Sequence, residues 1–187
     1  MENPIPPFDH NLVLPSHLGD PTSRLHLSPY ACTTLDLCRR FGTSAQRRTI
    51  LGKFLDFRSR LDFEGHTSGF QWLDGSFLEN VELREGRHPN DLDVVTVYWG
   101  YDLPFQQRLS ENFPEFCSPA LAKTNYSLDH YPFDAGIPPD QTVEWTRYWI
   151  LLFSNNRSGV WKGMLRVALN TPTEDAAAKE ELQKTIP

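Results

Sequence analysis

Cysteine is scarce in this chain. Cys32, Cys38 and Cys117 leave one thiol unpaired in any disulfide scheme, and no Cys-x-x-Cys or His-x-x-x-His spacing offers a zinc site. A disulfide scaffold is therefore excluded as the organising device, and three reduced thiols in a cytoplasmic protein are expected. Long apolar runs are missing too. The longest, Tyr148-Trp149-Ile150-Leu151-Leu152-Phe153, has six residues, against the roughly 20 that a membrane-crossing helix needs, so no membrane span is expected. The start, Met1-Glu2-Asn3-Pro4, lacks the basic and apolar regions of a signal peptide. Positive charge is in deficit: 18 Lys+Arg against 24 Asp+Glu gives 18 − 24 = −6. That argues against a chain-wide electrostatic grip on nucleic acid, though not against a local basic groove.

What is present suits one domain with a terminal arm. The 187 residues are 39% hydrophobic and 12% aromatic, enough for a real core. Residues 1–30 carry Pro4, Pro6, Pro7, Pro15, Pro21 and Pro29, and proline fixes φ while removing donors, so an extended arm is expected there. Residues 31–170 should form the folded domain, and residues 171–187 a polar tail or surface helix. A short helix is expected from Thr33 to Phe41, stopped by Gly42. Thr43 with Gln46 forms a capping-box pattern for a second helix, on which Ile50, Leu51, Phe54, Leu55 and Leu61 recur at helical spacing. The interleaved Arg47, Arg48, Lys53, Arg58 and Arg60 are expected to be its solvated face. A third helix should run from Pro138 to Phe153.

Strands are expected at Gly69–Leu73, Leu92–Trp99, Tyr126–Phe133 and Val160–Leu169. Between the first two, residues 77–85 suggest two turns of helix. Gly75-Ser76 then sits after a strand and at a helix start, where free N–H groups and an open glycine backbone suit phosphate. Asp91 and Asp93 alternate along the next strand and so share a face. Two carboxylates side by side repel unless a cation lies between them. Mg2+ (or Mn2+), a hard ion that prefers oxygen ligands and bridges phosphates, is the natural occupant. Lys162 and Arg166 share the polar face of the last expected strand; Lys162 is a candidate to neutralise a triphosphate if that strand borders the cleft, against an ordinary exposed face.

Together, strand, Gly75-Ser76, short helix and a strand opening Asp91-Leu92-Asp93 resemble the signature of the polymerase-β-like nucleotidyltransferase superfamily. Further stretches resemble an uncharacterised bacterial family close to the minimal nucleotidyltransferases: Ser28-Pro29-Tyr30, Phe41-Gly42-Thr43-Ser44, Arg47-Arg48-Thr49-Ile50-Leu51, Gly69 to Phe77, Asn90 to Thr96 and Trp161-Lys162-Gly163. The resemblance implies an α/β (α+β) fold: a small mixed sheet flanked by helices. It implies that Gly75 and Ser76 hold a nucleoside triphosphate, and that Asp91 and Asp93 bind divalent ions. It also implies a third carboxylate, acting as a base or a metal ligand. Asp129, 36 residues after Asp93, is the first choice, with Asp134 its competitor. The expected activity is transfer of a nucleoside monophosphate to a hydroxyl on a protein or tRNA. Minimal nucleotidyltransferases often belong to toxin–antitoxin or phage-defence pairs, which implies a cognate partner protein. A non-catalytic nucleotide-sensing or partner-binding module is the alternative.

Overall fold

A computed structural model describes residues 4–185; the first three residues of the expected arm and the last two of the tail lie outside it. Five strands form one mixed sheet: β1 (Tyr30–Ala31), β2 (Gly69–Asp74), β3 (Leu92–Tyr98), β4 (Leu128–Asp134) and β5 (Leu165–Ala168), in the order β1-β5-β2-β3-β4. β2 runs antiparallel to both neighbours, while β1 with β5 and β3 with β4 are parallel pairs. Among the described residues, seven α-helices flank it: α1 (Thr34–Phe41), α2 (Ala45–Phe63), α3 (Val81–Glu85), α4 (Leu103–Asn112), α5 (Pro119–Tyr126), α6 (Pro139–Phe153) and α7 (Pro172–Gln183). The α+β architecture read from the sequence is thus present.

Alternation along the strands sorts side chains into two apolar layers. Leu73, Leu92, Val94, Leu128, Leu165 and Val167 pack with Leu37, Phe41, Ile50, Leu51 and Phe54 of α1 and α2. On the other face Trp72, Val95, Val97 and Phe133 pack with Trp149 and Phe153 of α6. The helix α7 lies against α1 and α2, where its Ala178 is fully buried. The proline-rich segment is docked. Ile5, Val13 and Leu14 are buried, Gly163 N–H donates to Leu14 O at 2.7 Å, and the Tyr30 hydroxyl donates to Pro15 O at 2.8 Å.

Several local expectations are corrected. The cap of α2 is Ser44, one residue past Thr43: its hydroxyl accepts from Arg47 N and its carbonyl from Arg48 N. Two arginines assigned to a solvated face are buried because each has a full set of acceptors. Arg47 donates to Glu82, Phe77 O and Glu79 O, and Arg58 to Asp175, Gln71, Ala168 O and Thr171. The expected helix after Gly75 is broken into a three-residue 3-10 turn, Ser76–Leu78, and the short α3. The last strand starts at Leu165 rather than Val160, since Lys162 N and Gly163 N are spent on Ser154 O and Leu14 O. Helices α4 and α5 escape a periodicity search because each buries one side chain, Leu109 and Ala122 respectively. Tyr126 ends α5, and Ser127, in the left-handed region at φ 54°, turns the chain into β4.

Candidate active site

The register of three strands gathers the acidic residues. Asp74 ends β2 opposite Asp93 on β3, and Asp93 lies opposite Asp129 on β4. Asp91 precedes Asp93 by two positions and so shares its face. This is the α6 face of the sheet, and the row lies one step along the strands from the Val95–Phe133 apolar patch. Adjacent strands are about 4.8 Å apart, so like charges in register repel. Burial first, then the charges of Asp91 and Asp129, push the Asp93 carboxyl up to about 6; Lys162 and Lys123 pull it the other way.

Lys123, on the last turn of α5, places Nζ 2.7 Å from Asp91 Oδ2. Its pKa is raised, chiefly by the hydrogen bond to Asp91 and further by the charges of Asp91, Asp129 and Asp93. Tyr131, two residues after Asp129 on the same strand face, has its phenol raised by burial and by the adjacent Asp129 charge. Its ring lies 5.2 Å from that of Trp149 on α6. Asp134 sits at the far end of β4, where its carboxylate accepts from Gln106 Nε2 and Gly136 N.

Gly75 adopts φ +82°, and a Cβ there would fall 1.6 Å from Asp93 Oδ2. The glycine is therefore required by the approach of a carboxylate, a demand that phosphate binding alone does not express. Ser76 is half-buried and opens the 3-10 turn Ser76–Leu78, its carbonyl accepting from Glu79 N. The helix start expected at this corner is thus replaced by one tight turn.

Lys162 is not on an exposed strand face. Its side chain is 3% exposed, with Nζ 2.8 Å from Glu79 Oε1, 3.0 Å from Asp74 Oδ1 and 3.1 Å from Gly75 O. Arg84 closes the other side of Glu79 at 2.5 Å. Lys162 and Arg84 thus hold Asp74 and Glu79 beneath the Gly75-Ser76 turn, with Arg84 shared between Glu79 and Glu85. Burial lowers the Lys162 pKa, and Asp74 and Glu79 more than offset it; burial holds Asp74 up at about 7 despite that lysine. Lys162 therefore ties the turn to the fold rather than facing an open cleft. Arg166, its expected companion, stacks on Phe70 at 4.0 Å.

Asp74, Asp91, Asp93 and Asp129 share one face, and Asp74 is paired with Lys162; the other three offer carboxylate oxygen, the donor type that a hard divalent ion prefers. Among the described residues no group of three or more His, Cys, Asp or Glu side chains is arranged so that it could hold a metal ion. A cavity of about 220 Å³ lies away from this row, lined by residues that include Arg58, Asp62, His66 and Asp175.

Sequence reasoning brought Asp91, Asp93, Asp129, Gly75 and Ser76 to one corner of the sheet, and placed Lys162 there in the wrong role. It missed Lys123, Glu79 and Tyr131. Tyr131 was accessible in principle, at i+2 from Asp129 on a strand. Lys123 was not, because α5 carries no apolar stripe.

In comparison with known proteins, residues 6–168 match the family of unknown function DUF6932, and the chain belongs to that family. No curated protein and no solved structure matches. Among the described residues no helix is long and apolar enough to cross a membrane.

Proposed function

We propose that the protein is a divalent-ion-dependent nucleotidyltransferase, moving a nucleoside monophosphate from a nucleoside triphosphate to an acceptor hydroxyl on a protein or tRNA. The observation that carries this is the Asp93–Asp129 register with Asp91 on the same face, beside a glycine turn moulded to Asp93. Asp91, Asp93 and Asp129 would hold Mg2+ (or Mn2+). Such an ion neutralises a triphosphate and clamps the entering and leaving oxygens. Asp129, at the β4 side of the row, would take the acceptor proton. Ser76 contributes a hydroxyl to the same corner. Relatives of the superfamily that the sequence resembles support an acceptor within a toxin–antitoxin or phage-defence pair.

A second reading, a nucleotide-sensing or partner-binding module, is favoured by the outer side of α6. There Val143, Trp145, Tyr148, Leu151 and Leu152 are all exposed, more apolar surface than a solvated helix needs. Titration calorimetry with Mg2+ and each of the four nucleoside triphosphates, followed by transfer of an α-phosphate label, separates the two. Label transfer lost in the Asp91→Ala, Asp93→Ala double variant supports the enzyme. Tight Mg2+-dependent binding with no transfer to any acceptor supports the sensor. Undiminished transfer by the double variant overturns the enzyme mechanism.

A further inference from the structure

Two lysines flank the carboxylate row, and they differ in kind. Lys162, inside, is buried and fixed by Asp74, Glu79 and Gly75 O. Lys123, outside, has a side chain that is 56% exposed, while that of its partner Asp91 is 20% exposed. Its ammonium touches Asp91 at 2.7 Å and is drawn by Asp91, Asp129 and Asp93 together. It is the exposed cation on the residues that would carry a metal.

We propose that Lys123 is a resident counter-ion which competes with the divalent ion for Asp91: it offsets the charge of Asp91 while the ion is away and yields when the ion arrives. This rests on the metal-site reading above. Three carboxylates on one face cannot remain uncompensated in a partly buried corner without cost. A lysine on a flexible four-carbon stem supplies one positive charge without fixing geometry. An exposed ion pair of this kind is worth about a fivefold factor in an equilibrium or less. A divalent ion, with twice the charge and several oxygen ligands, displaces it readily. A buried pair such as that of Lys162 would not yield in this way. The device therefore eases the repulsion within the row without blocking it, and raises the divalent-ion concentration at which the site loads.

The test uses the full chain without nucleotide and Mn2+ as the probe. Binding is measured by electron paramagnetic resonance on wild type, Lys123→Gln, Lys123→Arg and Lys53→Gln. Lys53 is a charge control, for its ammonium donates to Ser127 Oγ instead of a carboxylate of the row. Lys123→Gln should bind Mn2+ about fivefold more tightly, while Lys123→Arg stays near wild type and Lys53→Gln shifts less. In metal-free buffer, Lys123→Gln should also melt below wild type, and saturating Mn2+ should remove the difference. Equal or weaker Mn2+ binding by Lys123→Gln overturns the proposal, as does an equal gain from Lys53→Gln. An Asp91→Ala arm tells the two failures apart. If Mn2+ binding depends on Asp91 but ignores Lys123, only the counter-ion role falls. If Mn2+ does not bind, or binds regardless of Asp91, the metal-site reading falls and this proposal with it.

Discussion

The α-carbon of Gly75 is packed against the carboxylate of Asp93, so closely that a methyl group there would lie 1.6 Å from Oδ2. A side chain at position 75 must therefore expel Asp93 from the row, besides straining a backbone held at φ +82°. Gly75→Ala is expected to lose divalent-ion-dependent nucleotide binding as fully as Asp93→Ala, and the double variant should be no worse than either. Such non-additivity marks two residues acting as one unit. Ser76→Ala removes one hydroxyl and should cost far less, about 1.5–3 kcal/mol of nucleotide affinity if that hydroxyl meets a charged phosphate. Calorimetry on the four variants and wild type checks this.

Asp93 also makes stability depend on pH in an unusual direction. Its carboxyl is raised from the ordinary 3.8 to about 6, chiefly by burial and then by Asp91 and Asp129. As pH climbs from about 4 to about 6, the unfolded chain releases this proton while the folded protein keeps it. The folded state then binds more protons, so this group makes stability fall across that window and level off above it. Asp93→Asn removes the effect. It should match wild type near pH 4 and exceed it by about 1–2 kcal/mol near pH 8, below a ceiling of about 3 kcal/mol. Urea unfolding at the two pH values without divalent ions measures the difference. A variant less stable than wild type at pH 8 would contradict it.

Lys162 separates a structural from a ligand-binding lysine. Truncation to Met leaves Asp74 and part of Glu79 buried without their cation, and breaking a buried pair costs about 3–5 kcal/mol. Lys162→Met is therefore expected to shift the urea midpoint strongly in the absence of nucleotide. A lysine that only met triphosphate would leave that midpoint unchanged and weaken nucleotide binding alone.

The contrast between the two lysines shows what was legible beforehand. β2, β3 and the Asp91–Asp93 pair could be read because strand alternation is strictly local: two residues apart means one face. The choice of Asp129 came from the superfamily resemblance, which implies a third carboxylate, and its register with Asp93 is a feature of the folded sheet. Charge burial was not legible in the same way. Arg47 and Arg58 read as solvated because they fall between the apolar positions of a helix, and Lys162 because it falls on the polar face of an expected strand. Their acceptors are Glu82, Asp175, Asp74 and Glu79, remote in the chain in most cases and joined only by folding. Lys123 was hidden for a related reason: α5 is defined by Ser118, Pro119 and the turn at Ser127 rather than by an apolar stripe. The tight turn after Gly75 likewise follows from Asp93, which occupies the space a side chain would need.

The two acids of β4 give the most direct test of the catalytic assignment. Asp129 lies opposite Asp93 at the start of the strand, whereas Asp134 pairs in register with Tyr98 at its end. Asp134 already serves a local purpose there, accepting from Gly136 N at 2.8 Å and Gln106 Nε2 at 3.1 Å. Asn in place of Asp keeps size and most hydrogen-bonding shape while deleting the charge. At position 129 the change should leave Mg2+–nucleotide binding close to wild type, because Asp91 and Asp93 still supply oxygen ligands and the ion takes others from phosphate and water. Transfer should nevertheless fall by about 10²-fold or more if Asp129 accepts the proton of the attacking hydroxyl. At position 134 the same change should leave transfer unaltered and cost only the turn contact, about 1 kcal/mol of stability. Single-turnover transfer and equilibrium binding, measured on both variants side by side, decide it. Loss of transfer in Asp134→Asn with an active Asp129→Asn would move the chemistry to the other end of β4, where no second carboxylate of the row lies in register.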